Sequence, residues 1–113
     1  METGKFIGML FQSRDMMHLQ HLQTTSFAEH KALGGYYDGI LDLTDSFTEV
    51  YFGRNKRIPI VIPESKVANA ADHLKSMQKT IDGERNNYPS ELQNIMDEML
   101  ALINKTLYLL TLV

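Results

Sequence analysis

Apolar residues recur along this chain at intervals of three and four, the period of a helix buried on one face. Ile7, Leu10, Phe11, Met17 and Leu22, with His18 and His21, mark a first tract over about Lys5 to Gln23. A second begins at Ser26. With Glu29 it forms a capping box, in which the hydroxyl takes an amide of the first turn and the carboxylate reaches back. Its inner stripe is Phe27, His30, Leu33, Tyr37, Ile40, Leu41, Phe47 and Tyr51, and Gly53 is its expected stop. A third follows Pro63 to about Asp82 on Val67, Ala71, Leu74, Met77 and Ile81, with Gly83 ending it. A fourth follows Pro89, capped by Ser90 and Gln93. Its stripe is Leu92, Ile95, Met96, Met99, Leu100, Ile103, Leu107 and Leu110. Starts, stripes and stops agree, which predicts an all-α protein.

Between the second and third tracts, Arg57-Ile58-Pro59-Ile60-Val61-Ile62-Pro63 reads as extended chain, because proline fixes its own φ and restricts the residue before it. A lone strand has no partner, so no sheet is expected. The second helix should be roughly 40 Å long, and an extended Asn55 to Glu64 spans about 33 Å. The segment can therefore carry the chain back along the bundle. One long crossover between helices 2 and 3 is the ferritin-like arrangement, so the expected fold is a ferritin-like four-helix bundle with an extended crossover there, formed as one domain over residues 1–113.

The 113 residues suit one core. No cysteine is present, which removes disulfides, thiol catalysis and thiolate metal sites and fits a reducing, cytoplasmic setting. A net charge of −3 supplies no basic footprint for DNA. The first residues lack the apolar core of a secretory signal, and Leu107 to Val113 is too short to span a bilayer. That apolar end is expected to close a buried helix or to meet another copy. No phosphate-binding glycine loop and no His-Glu-x-x-His motif occurs.

Four residues carry candidate metal chemistry: His18, His30, Asp45 and Glu49. His18 and His30 flank the first turn and should lie side by side in an antiparallel hairpin. Asp45 and Glu49 are four apart and share a helix face. Imidazole with carboxylate suits iron or another first-row divalent metal. His30 and Asp45, fifteen residues apart on one helix, are separated by about 22 Å. An antiparallel two-fold dimer would bring the two halves together, so a homodimer or higher homo-oligomer is expected.

The spacing of these four residues, within the stretch His18 to Gly53, resembles the ferroxidase ligand pattern of the Dps family, mini-ferritins that oxidise ferrous iron across a dimer interface. Small Dps-like proteins, some encoded by bacteriophages, look similar over this half of the chain. The resemblance implies iron binding by a homodimer, Glu49 bridging two ions, Asp45 binding one, and a ferroxidase-like oxidoreductase activity, with Tyr37 beside the site. The sequence departs from that family in having Gly34 where a further carboxylate is usual and Leu19 where tryptophan is frequent. It is also shorter than a typical member and lacks both the small helix within the crossover and the basic N-terminal tail, so DNA binding and a dodecamer are not expected. His21 and Asp38 are the candidate replacement ligands. The alternative is a non-enzymatic helical module that binds a protein or small ligand.

Overall fold

The computed structural model describes residues 1–66 and 68–112. Four helices form: α1 (Thr3–Gln23), α2 (Phe27–Arg54), α3 (Ala70–Glu84) and α4 (Ser90–Leu110), with a 3₁₀ turn over Arg85–Asn87. No strand occurs among the described residues.

Local chemistry sets the helix ends. Ser26 caps α2 by accepting from the Glu29 N–H at 3.2 Å. The reciprocal half of the expected capping box is absent: the Glu29 carboxylate accepts from Gln20 Nε2 on α1, and Thr24 Oγ1 receives the Ser26 N–H. Asn69 caps α3 through the Asp72 N–H, placing the start of α3 seven residues beyond Pro63. Val67 lies outside the described residues. Pro89, not Ser90, is the N-cap of α4, and Gln93 Nε2 instead donates to the Arg85 carbonyl. Gly53 and Gly83 both lie inside helices, because each helix continues past its glycine to a residue other than the expected stop.

Side-chain pairs define the topology. His21 stacks on His30 near the α1–α2 turn, and Phe6 packs on Phe47 at the far end, so α1 and α2 are antiparallel. Ser13 meets His73, and the N-terminal amine meets Glu84 at 3.4 Å, so α3 runs against α1 and hence along α2. The Arg54–Glu91 bridge and the approach of Leu102 to Gly39 set α4 against α2. Helices 2 and 3 are thus parallel and joined by the long crossover, as the Ile/Pro stretch implies.

That crossover lies along α1. The Val61 N–H donates to the Gly4 carbonyl at 3.2 Å, and Gln12 Nε2 donates to the Glu64 carbonyl at 2.5 Å. Gly4 and Gly8, one turn apart, form the seat. A Cβ on Gly4 would strike the Pro59 carbonyl, and one on Gly8 the Val61 carbonyl. Glycine costs an exposed helix interior about 1 kcal/mol relative to alanine; here it lets extended chain lie directly on the helix backbone.

The core is apolar and aromatic. Phe6, Phe47 and Tyr88 cluster with centroids 5.3–5.9 Å apart. Around them sit Ile7, Leu10, Met17, Leu33, Ile40, Leu74, Ile81, Leu92, Met96, Met99 and Ile103, all essentially inaccessible. No described helix is long and apolar enough to cross a membrane.

Candidate functional site

Two polar constellations stand out against this core. The first was not legible in the one-dimensional pattern: Ser13 on α1, Tyr36 on α2 and His73 on α3. Ser13 and Tyr36 have no solvent exposure, and His73 is half-buried. Ser13 Oγ lies 2.7 Å from Tyr36 Oη and 2.7 Å from His73 Nε2. The buried Thr44 and Thr106 donate back to the carbonyls four residues earlier, as helical threonines do. Ser13 instead joins three helices.

Donor arithmetic orients the chain. The Tyr36 hydroxyl touches only Ser13 among the described residues, so its proton goes to Ser13 Oγ. The serine proton then goes to His73 Nε2, which must be unprotonated. Burial supports both assignments: it raises the Tyr36 phenol pKa, against the pull of the Ser13 hydrogen bond, and it lowers the His73 pKa. A hydroxyl beside an imidazole is the pairing of a nucleophile with its base. Ser13, however, is sealed from any substrate. The trio cross-braces α1, α2 and α3. The sequence signal for it is a polar residue inside the apolar stripe of α1, at the helical step after Leu10.

The second constellation holds the predicted histidines, at the α1–α2 hairpin end. The His21 and His30 rings stack at 3.8 Å with planes 16° apart. Each donates its Nδ1–H across the hairpin to the other's backbone carbonyl, at 2.5 and 2.8 Å. In the neutral ring this arrangement selects the Nδ1–H tautomer, with the lone pair on Nε2. His18 stacks flat on Tyr37, with centroids 4.0 Å apart and planes at 7°. The Arg14 guanidinium lies 5.4 Å from the same Tyr37 ring. Gly34 supplies no ligand. It makes room for His21, whose Cε1 would be 3.1 Å from a Cβ there. Gly35 faces open space.

His18 and His30 are thus at the same end, with His21 between them, as the hairpin requires. Asp45 and Glu49 lie exposed, four and five helical turns farther along α2. No group of three or more His, Asp or Glu side chains able to hold a metal exists among the described residues of one chain. The His21–His30 pair does not chelate as it stands. Ring lone pairs lie in the ring planes, and two nearly parallel planes direct them past a common ion. The Arg14 charge beside Tyr37 also disfavours a cation on His18. Favouring a ligand role, the Nδ1–carbonyl bonds orient imidazoles in the way outer-shell partners orient metal ligands.

Around this end lie large apolar side chains in solvent. Phe27 is 75% exposed, Leu22 63% and Leu19 52%. The stripe reading placed Phe27 and Leu22 inside. At a hairpin tip, the last turn of α1 and the first turn of α2 extend past the neighbouring helices, so nothing covers them.

The fold and these clusters define an all-helical crossover bundle with a sealed polar brace and an imidazole-rich, apolar hairpin tip. The chain belongs to the family of unknown function DUF5856, whose sequence profile matches residues 21–110. It is similar to an uncharacterized 14.6 kDa protein of the mobD-ri intergenic region of Enterobacteria phage T4, with 28% identity over 116 residues that cover 98% of this chain and 89% of the relative. No solved structure matches. The expected membership of the Dps family is corrected by this family match. The shared ligand spacing is two histidines bracketing a hairpin turn and two carboxylates one helical turn apart, a pattern that any long helical hairpin can accommodate.

Proposed function

We propose that this protein is a non-enzymatic helical interaction module, of the kind a phage encodes, whose contact surface is the α1–α2 hairpin tip. The observation that carries the reading is the exposure of Leu19, Leu22 and Phe27 together at one end of the bundle. Isolated exposed apolar residues are ordinary, but grouped large ones mark interaction surfaces. The stacked His21 and His30 make the tip rigid, because each ring is fixed to the opposite helix by its own hydrogen bond. A preformed apolar tip binds with little ordering cost. The partner is a protein offering an apolar recess. The test compares wild type with a Leu22→Ser/Phe27→Ser variant, each as bait in extracts of phage-infected cells. Expected is a protein captured by wild type, lost with the variant, and binding wild type again once purified. Equal capture by two equally folded baits overturns the reading.

A second reading keeps the metal. Here His18 and His30 of one copy, with Asp45 and Glu49 of another, bind iron or another first-row divalent ion. Its support is the His30 Nδ1–carbonyl bond, which leaves Nε2 as a ligand, and the exposed carboxylates, which form no ion pair among the described residues. Anaerobic ferrous titration followed by oxidation decides it. Wild type should bind and oxidise iron, while His30→Ala and Glu49→Ala should not. Equal behaviour of all three removes this reading.

A further inference from the structure

Among the described residues, the crossover segment is hydrogen-bonded to the rest of the protein along its α1 edge only. While α1 advances one turn from Gly4 to Gly8, the crossover advances from Pro59 to Val61. About 6 Å over two residues is the rise of an extended strand. In such a strand the N–H and C=O of one residue point to one side and those of the next to the other. The odd-numbered residues face α1: Val61 donates to Gly4, and the Pro59 and Val61 carbonyls lie over Gly4 and Gly8. The even-numbered Ile58, Ile60 and Ile62 therefore turn their backbone groups outward. None of them makes a backbone hydrogen bond among the described residues. Ile60 is 37% exposed, Val61 51% and Ile62 55%.

Proline is a usual means of blunting a strand edge. Pro59 and Pro63 both have the inward parity, so the donors they lack would have faced α1. Every residue of the outer edge keeps its N–H. The result is a short apolar strand edge with a complete set of unpaired donors and acceptors, backed by a helix.

We propose that this edge pairs with the same edge of a second copy, as an antiparallel two-stranded ladder across a two-fold axis at Ile60. The register follows from parity and charge. Hydrogen-bonded pairs require outward residues opposite each other. Centring on Ile60 sets Ile60 against its mate and Ile58 against Ile62. Lys56 and Glu64 then fall opposite each other beyond the ladder, since the alternation ends at Pro63, where the Glu64 carbonyl turns back to accept from Gln12 on α1. A shift of two residues one way sets Lys56 against Lys66. The same shift the other way sets Lys56 against Ile62. Only the centred register places opposite charges at both flanks and isoleucine against isoleucine throughout, and opposite-charge cross-strand pairs are the favourable ones. An extended peptide from another protein could use the same donors, but it would not bring this flanking charge match.

The test is sedimentation velocity of the full chain from about 1 to 100 μM, a range that brackets micromolar dimers, with amide hydrogen exchange read alongside. The wild type should dimerise, and the amides of Ile58, Ile60 and Ile62 should become protected as concentration rises. Ile60→Pro removes the central donor from both strands and leaves the donor and acceptor of the Val61–Gly4 hydrogen bond in place. It should weaken the dimer by about tenfold or more, since two hydrogen bonds go at once. Lys56→Glu should weaken it severalfold, and Lys56→Glu/Glu64→Lys should restore it. That rescue cannot come from misfolding. A wild type that stays monomeric throughout overturns the proposal. So does a dimer that neither Ile60→Pro nor Lys56→Glu weakens, because it would then use another surface.

Discussion

The seating of the crossover on glycine predicts that one chemical change will have opposite signs at two positions. Replacing a helical glycine by alanine removes backbone entropy from the unfolded chain and improves helix propensity, a gain of up to about 1 kcal/mol. At Gly35 a Cβ meets nothing within 4 Å, so the gain should appear in full. At Gly8 the same Cβ would overlap the Val61 carbonyl and come 3.0 Å from the Ile62 nitrogen, and both neighbours are backbone. No side chain can rotate away. The crossover must lift, losing the Val61–Gly4 hydrogen bond at about 1 kcal/mol and the contacts beneath it. Forcing extra volume into a packed site typically costs about 1–3 kcal/mol. Gly8→Ala should therefore destabilise by about 1–3 kcal/mol after the propensity gain, while Gly35→Ala stabilises by about 0.5–1 kcal/mol. Urea unfolding of both variants and wild type by circular dichroism measures the difference, and the slope of each curve checks that the unfolded states match. If Gly8→Ala were as stable as Gly35→Ala, the crossover would not lie on that turn of α1.

The Ser13 brace yields two further expectations. Ser13→Ala strands the buried Tyr36 hydroxyl and should cost about 1–3 kcal/mol, whereas Ser13→Ala/Tyr36→Phe should recover much of that loss; additive costs in the urea-unfolding cycle would show that the trio is not coupled. His73 is half-buried and neutral, with its pKa held below the usual 6.5 by desolvation, so the unfolded chain binds the proton more readily than the folded one. Stability should be full above about pH 6.5 and fall as pH drops below it, by at most about 1.4 kcal/mol per pH unit, until the lower folded pKa is reached. His73→Asn should lack this slope, and an unchanged slope in the variant would assign the effect elsewhere. The lowered pKa values of Glu91, from backbone hydrogen bonding and Arg54, and of Asp97, from Arg85, act in a separate, more acidic window.

Much of the fold could be read in one dimension because its determinants are local. The three-and-four spacing of Leu74, Met77 and Ile81, or of Leu92, Met96, Met99 and Ile103, marks a buried face wherever that face ends up. Ser26 caps whatever helix follows it, and the Ile/Pro run is extended by steric restriction within each residue. The length of α2 against the reach of Asn55 to Glu64 then leaves the crossover topology. The candidate site was less legible. The hairpin put His18 and His30 at one end, since that follows from counting residues across a turn. That His30 would stack on His21, that Gly34 would be filled by an imidazole, and that Phe27 and Leu22 would face solvent depended on which helices extend past which. Spacing does not encode that. The roles of Gly4, Gly8 and Ser13 were decided only by the tertiary structure. A glycine in a helix looks the same whether it costs stability or seats a crossing chain. A serine in an apolar stripe looks like an error until a tyrosine 23 residues away and a histidine 60 residues away arrive beside it. Periodicity selects the face that is buried, but the partner buried against it is set by the path of the whole chain.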